Sequence, residues 1–137
     1  MANISRQQEH YIIMTVIYDE LSDFVLGDKS YFRDARQLIV DLAGVPYSQV
    51  SDYVKNTVSY SLTNYGKIKD VFIPHLKGWK WDRLPLLTQS ILIMSYAHKQ
   101  VEEVDKRVVI NVAVDLAKKY IDDAQRKFIN AILDEVL

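Results

Sequence analysis

Cysteine is missing from this 137-residue chain. Its absence excludes disulfides, thiolate nucleophiles and thiolate-bound metals. It also suits a reducing compartment, so a cytoplasmic location is expected. Proline and glycine are scarce, at three and four residues, which leaves few points where a helix must stop. No long apolar run occurs, so no segment is expected to cross a membrane. The opening MANISRQQEH lacks the basic-then-apolar pattern of a signal peptide. A basic surplus is missing too, the net charge being -1. Neutralising phosphate supplies much of the affinity of nucleic-acid binders. RNA binding by this chain would therefore need a local basic patch, a partner that brings charge, or both.

The usual catalytic spacings are absent as well. The sequence contains no GxGxxG or GxxxxGK[ST] phosphate loop, no GxSxG elbow and no HExxH. His10, His75 and His98 lie far apart on different predicted helices, out of any metal-binding spacing. Glu102, Glu103, Asp105, Asp122 and Asp123 fall near predicted helix starts, where carboxylates cap free N–H groups and complement the helix dipole. No enzymatic activity, cofactor or metal is expected.

What the chain does have is helical periodicity over nearly all its length, with 49% hydrophobic residues. Ser5 is a cap candidate for a first helix reaching about Leu26, with Ile13, Met14, Ile17, Leu21, Phe24 and Val25 on its inner face. A second helix is predicted over Tyr31–Ala43, stopped by Gly44 and Pro46. Ser48 is placed to cap a third that runs to about Thr63. The Asn64-Tyr65-Gly66 break leads into a fourth, Lys67 to about Leu76, which Pro74 must bend. Pro85 suits the first turn of a fifth, Leu84–Gln100. Helix six is predicted near Lys106–Tyr120, with Val109, Ala113, Leu116, Ala117 and Tyr120 facing inward. Asp122 or Asp123 caps helix seven, with Phe128, Ile129, Ile132, Leu133 and Val136 inward and Arg126, Lys127, Asn130 and Asp134 outward. The expected fold is all-α, one compact domain of about seven helices over residues 1–137.

Two features look outward. Arg6-Gln7-Gln8-Glu9-His10 opens the first helix, whose free N–H groups and positive dipole end attract phosphate; Arg6 and a partly charged His10 add to that. Trp79 and Trp81 flank Lys80, which fits either stacking on unpaired bases or pinning an irregular turn to the core.

Three stretches resemble the NusB family of bacterial transcription antitermination factors. PHLKGWKWDRL (74–84) is similar to the family's Pro-Tyr-Leu-Lys-x-Trp segment with its following Arg-Leu. LLTQSILIMSYAH (86–98) is similar to its Arg-Ala-Ile-Leu-Arg-Leu-Ala-x-Tyr-Glu helix. VVINVAVDLAKKYIDDAQRKFINAILDEVL (108–137) is similar to its Val-Ile-Asn-Glu-Ala-Val-Glu-Leu-Ala-Lys and Lys-Phe-Val-Asn-Gly-Val-Leu-Asp signature.

The resemblance implies a NusB-like helical bundle without enzymatic activity. It also implies that the chain pairs with the small-subunit ribosomal protein NusE and binds boxA-type single-stranded RNA. In that role it joins the RNA polymerase antitermination complex and supports ribosomal RNA transcription. Some family members form homodimers through the RNA surface. Carried onto this sequence, the RNA-binding positions are Arg6, Gln7, Gln8, His10, Lys127, Phe128 and Asn130, and the partner-binding positions are Tyr18 and Thr88. Gln7, Gln8 and His10 stand where the family has an Arg-rich tract. That thinning raises the alternative of a NusB-fold interaction module with reduced or lost RNA binding. Phe128, at the edge of an apolar face, either stacks on a base or only packs.

Overall fold

The computed structural model describes residues 4–25 and 35–137, with side chains other than those of Phe24 and Val25. Seven α-helices occur among the described residues: α1 Arg6–Val25, α2 Ala35–Ala43, α3 Asp52–Thr63, α4 Tyr65–Phe72, α5 Leu86–Val101, α6 Lys106–Tyr120 and α7 Asp123–Val136. No strand is present among those residues. The expected end of the first helix at Leu26, the start of the second at Tyr31, and the inward placement of Phe24 and Val25 lie outside the described residues.

Two helices form the centre. α1 packs on α2, α3 and α5, and α5 packs on α1, α3 and α6. In α1 the buried set Ile12, Ile13, Met14, Val16, Ile17 and Leu21 is wider than a single stripe. α5 is enclosed all round from Thr88 to Ser95, with Ile91, Leu92, Ile93 and Met94 buried in succession. A helix apolar on every side belongs in a core, not at a surface. The polar groups that α5 takes inside are satisfied. Gln89 donates through Nε2 to the carbonyls of Trp81 (3.2 Å) and Leu84 (3.0 Å). Ser90 and Ser95 donate to the carbonyls of Leu86 and Ile91, four residues back. α6 and α7 form the closing hairpin, packed on α5.

Local chemistry sets the helix ends. Ser5 and Gln8 form a reciprocal capping box: the Gln8 amide donates to Ser5 Oγ (3.1 Å), and the Ser5 amide donates to Gln8 Oε1 (2.8 Å). α3 is capped by Ser51, whose Oγ accepts from the Val54 amide, and not by Ser48. Pro46 leads instead into a 3-10 turn, Tyr47–Gln49, that absorbs Ser48. α4 starts at Tyr65 because Asn64 ends α3 and opens α4 in one step. Pro74 does not bend it. The helix ends at Phe72, and Pro74 sits in the first turn of a 3-10 turn, Ile73–His75, where its missing N–H is not needed. Pro85 is extended and precedes α5 instead of entering it. Asp105 caps α6, accepting from the Arg107 amide at 2.8 Å. Asp122 caps α7, accepting from the Gln125 amide at 2.7 Å. Tyr120, expected inward, is exposed at the end of α6.

Candidate nucleic-acid interface

The first turn of α1 meets the start of α3 and the end of α5, and a network of side chains ties the three together. The Arg6 guanidinium lies 3.5 Å over the Tyr53 ring, with Nη2 2.6 Å from Glu102 Oε1 and Nη1 3.6 Å from Glu9 Oε1. Glu9 is buried and accepts a hydrogen bond from the Ser51 hydroxyl. His98 Nε2 is 2.9 Å from the same Glu102 oxygen, and the Tyr53 hydroxyl is 3.5 Å from His98 Nδ1. A neutral imidazole protonated at Nε2 satisfies both contacts. The His10 ring stands edge-on to Tyr53 at 5.8 Å and lies 6.4 Å from His98. Thus two of the three scattered histidines come together, while His75 lies 3.6 Å from Glu135.

Burial, then the Arg6 charge and His98, hold His10 down at about 4 from an ordinary 6.5. It is therefore neutral at pH 7, against the expectation of a partly charged ring. Burial likewise lowers His98 against the opposing pull of Glu102, and raises the Tyr53 phenol.

Outside this network, α1 and α6 form the walls of a groove of about 170 Å³ lined by Arg6, Gln7, His10, Val112, Asp115, Leu116 and Lys119. The exposed rings of Tyr11 and Tyr120, next along the two walls, are 5.5 Å apart. Lys118 and Lys119 occupy the last turn of α6, and neither has an ion pair among the described residues. Arg6 keeps 49% of its side chain exposed, so it contributes charge to the groove while anchored below it. Gln7 is exposed, but the Gln8 side chain is held by the capping box.

Phe128 belongs to a second groove. Half-buried against the core, it lines a space of about 160 Å³ with His75, Leu76, Lys77, Trp79, Ala131, Ile132 and Glu135. Lys127 and Asn130 are exposed on α7, Lys127 lying 3.5 Å from Asp123. The two tryptophans differ in burial. Trp81 is buried, lies against Phe72 with ring centres 6.0 Å apart and planes inclined by 28°, and donates to the Tyr65 hydroxyl at 3.2 Å, so it pins the turn. Trp79 is 64% exposed and pins nothing.

A model of the NusB family matches residues 11–137. The chain belongs to the NusB family. The transcription antitermination protein NusB of Clostridium botulinum is 30% identical over 92% of this chain and 91% of that protein. The NusB proteins of Listeria monocytogenes and Macrococcus caseolyticus are 34% and 36% identical over 62% and 56% of this chain. The match spans 67% of the Listeria protein and 58% of the Macrococcus protein. Among solved structures, a chain in one described as the crystal structure of a plectonemic RNA supercoil shares the fold, with TM-score 0.75 and 23% identity. The likeness covers 96% of this chain and 92% of that one.

Within this NusB-family fold, the RNA candidates carried over from the resemblance, apart from Gln8 in the capping box, fall in three places. Arg6, Gln7 and His10 share the α1–α6 groove, Phe128 lies in the second groove, and Lys127 and Asn130 stand on the outer face of α7. Tyr18 is 38% exposed. Thr88 is a correction. It is fully buried at the start of α5, where its hydroxyl donates to Gln125 Oε1 at 2.9 Å, so it holds α7 against α5 and offers no surface to a partner. Sequence reasoning missed Lys119 as a groove residue, the Tyr11–Tyr120 pair beside the groove, and Glu102 and Tyr53 as the seat of Arg6. The Lys118-Lys119 pair was a visible signal; the approach of α6 to α1 was not.

Proposed function

We propose that this protein is a non-enzymatic transcription antitermination factor. In this reading it binds boxA-type single-stranded RNA together with the ribosomal protein NusE, and so supports ribosomal RNA transcription by the RNA polymerase antitermination complex. Family membership supports the role, since the relatives it matches are antitermination proteins. The observation that carries the RNA reading is the α1–α6 groove. There Arg6, Gln7 and Lys119 converge beside the N-terminal end of a 20-residue helix, with exposed tyrosines alongside. Basic groups taking phosphates and exposed rings taking splayed bases is how proteins hold single-stranded RNA. Exposed Tyr18 is the partner-side residue in this reading.

A second reading rests on the engagement of its cations: Arg6 is paired with Glu9 and Glu102, Lys127 with Asp123, and His10 is neutral. It is an interaction module on the same fold with reduced RNA affinity.

Fluorescence anisotropy of a labelled boxA-like RNA, with and without NusE, separates the two. The antitermination reading expects binding that tightens with NusE and falls about ten- to a hundred-fold in Lys119→Glu, one charge-assisted contact being worth about 1.5–3 kcal/mol. NusE binding without RNA binding selects the module. Arg6→Ala is the poorer probe, since it also strips the counter-charge from buried Glu9.

A further inference from the structure

We infer that the groove between the Ile73–Trp79 segment and α7 is a slot for one unpaired nucleobase of a bound RNA single strand, stacked on the Trp79 indole. The inference rests on the RNA-binding reading above.

Trp79 is the most exposed large apolar side chain described. Its outward position is built by the backbone. Lys77 and Gly78 both take left-handed conformations, at φ 51° and 93°, and the turn closes with the Trp79 amide donating to the Leu76 carbonyl at 3.1 Å. A lysine held in the left-handed region is a strained residue, and such strain gathers at binding sites. A flat aromatic surface left in water is a ready platform for a base, because every base has a π-face.

The rest of the groove suits a base. Phe128, from α7, adds a second aromatic ring to the lining. Glu135 stands at the rim with its two oxygens fixed by different neighbours: Oε1 is 3.6 Å from His75 Nδ1, and Oε2 is 3.4 Å from Lys77 Nζ. That carboxylate, its charge offset by Lys77, is an acceptor for a base N–H. All four RNA bases offer an N–H donor on the Watson–Crick edge, so the slot holds a base without selecting which. The slot shares α7 with exposed Lys127 and Asn130, which lie beside Phe128 and Ala131 and are placed for the flanking backbone.

The test is anisotropy with a fluorescein-labelled boxA-like oligoribonucleotide and NusE, using the wild type, Trp79→Ala, Trp79→Phe and Lys119→Glu. Trp79→Ala is expected to weaken RNA binding about ten-fold while leaving the melting midpoint and NusE affinity unchanged. Trp79→Phe, which keeps a ring, is expected to retain most of the affinity. Wild-type affinity in Trp79→Ala, with Lys119→Glu still weakened, would overturn the slot and leave the antitermination reading standing. Loss of NusE affinity with RNA binding intact would assign the groove to the protein partner and overturn the slot. If the wild type binds no RNA, both readings fall together.

Discussion

At the scale of single residues, the network around Arg6 decides what the first turn of α1 can do. Glu102 is shared by Arg6 and His98, so the end of α5 holds the start of α1 in place. His10 sits against this network, faced by Arg6, His98, Glu102 and Asp115. Its folded value of about 4 lies below the ordinary 6.5. Between those values the unfolded chain binds more protons than the folded one, so stability is intact above pH 6.5 and falls as pH drops toward 4. His98, also lowered, acts with the same sign. Urea midpoints at pH 7, 5.5 and 4.5 should therefore decline, and the decline should be smaller in His10→Gln; equal pH slopes would place the acid sensitivity elsewhere. None of this was legible in the sequence, because Tyr53, His98 and Glu102 reach His10 only through the packing of α3 and α5 on α1.

At the scale of helices, legibility followed how local the deciding forces are. α6 was readable to its ends, since apolar spacing and the adjacent Asp105 fix it within a few residues of chain. α3 was not. Ser48 and Ser51 are equally good caps by type, and two things choose between them: Pro46 commits the intervening residues to a 3-10 turn, and Glu9, 42 residues away, accepts the Ser51 hydroxyl. Ser51→Ala removes the cap and leaves a buried carboxylate short of a donor. It should destabilise the fold by about 1–2 kcal/mol by urea titration, against a value near zero for Ser48→Ala. Thr88 was placed at the partner surface by the resemblance alone; in the fold α7 covers that turn through Gln125.

At the scale of the whole molecule, the charge balance is the main constraint. Net charge is -1, so in the proposed role attraction to RNA must come from the few lysines and arginines that converge locally. With about two phosphates neutralised, log affinity against log salt should have a slope near -1.4 for single-stranded RNA, and a steeper one once NusE adds its own charge. A slope well steeper than -1.4 without NusE would indicate a larger basic surface on this chain than the α1–α6 groove provides. The all-α architecture was legible because the hydrophobic period is 3.6 residues almost throughout. The division of the candidate RNA residues between two grooves and the outer face of α7 was not, since it depends on how the α6–α7 hairpin docks.

The unequal burial of the two tryptophans makes the molecule its own optical probe. Trp81, sealed beside Phe72 and Tyr65, emits from an apolar setting and is shielded from dissolved quenchers until the fold opens. Trp79, in water, is open to iodide from the outset. Emission wavelength thus follows unfolding, and iodide quenching follows occupancy of the α7 groove, so the two events can be timed separately in one unlabelled sample.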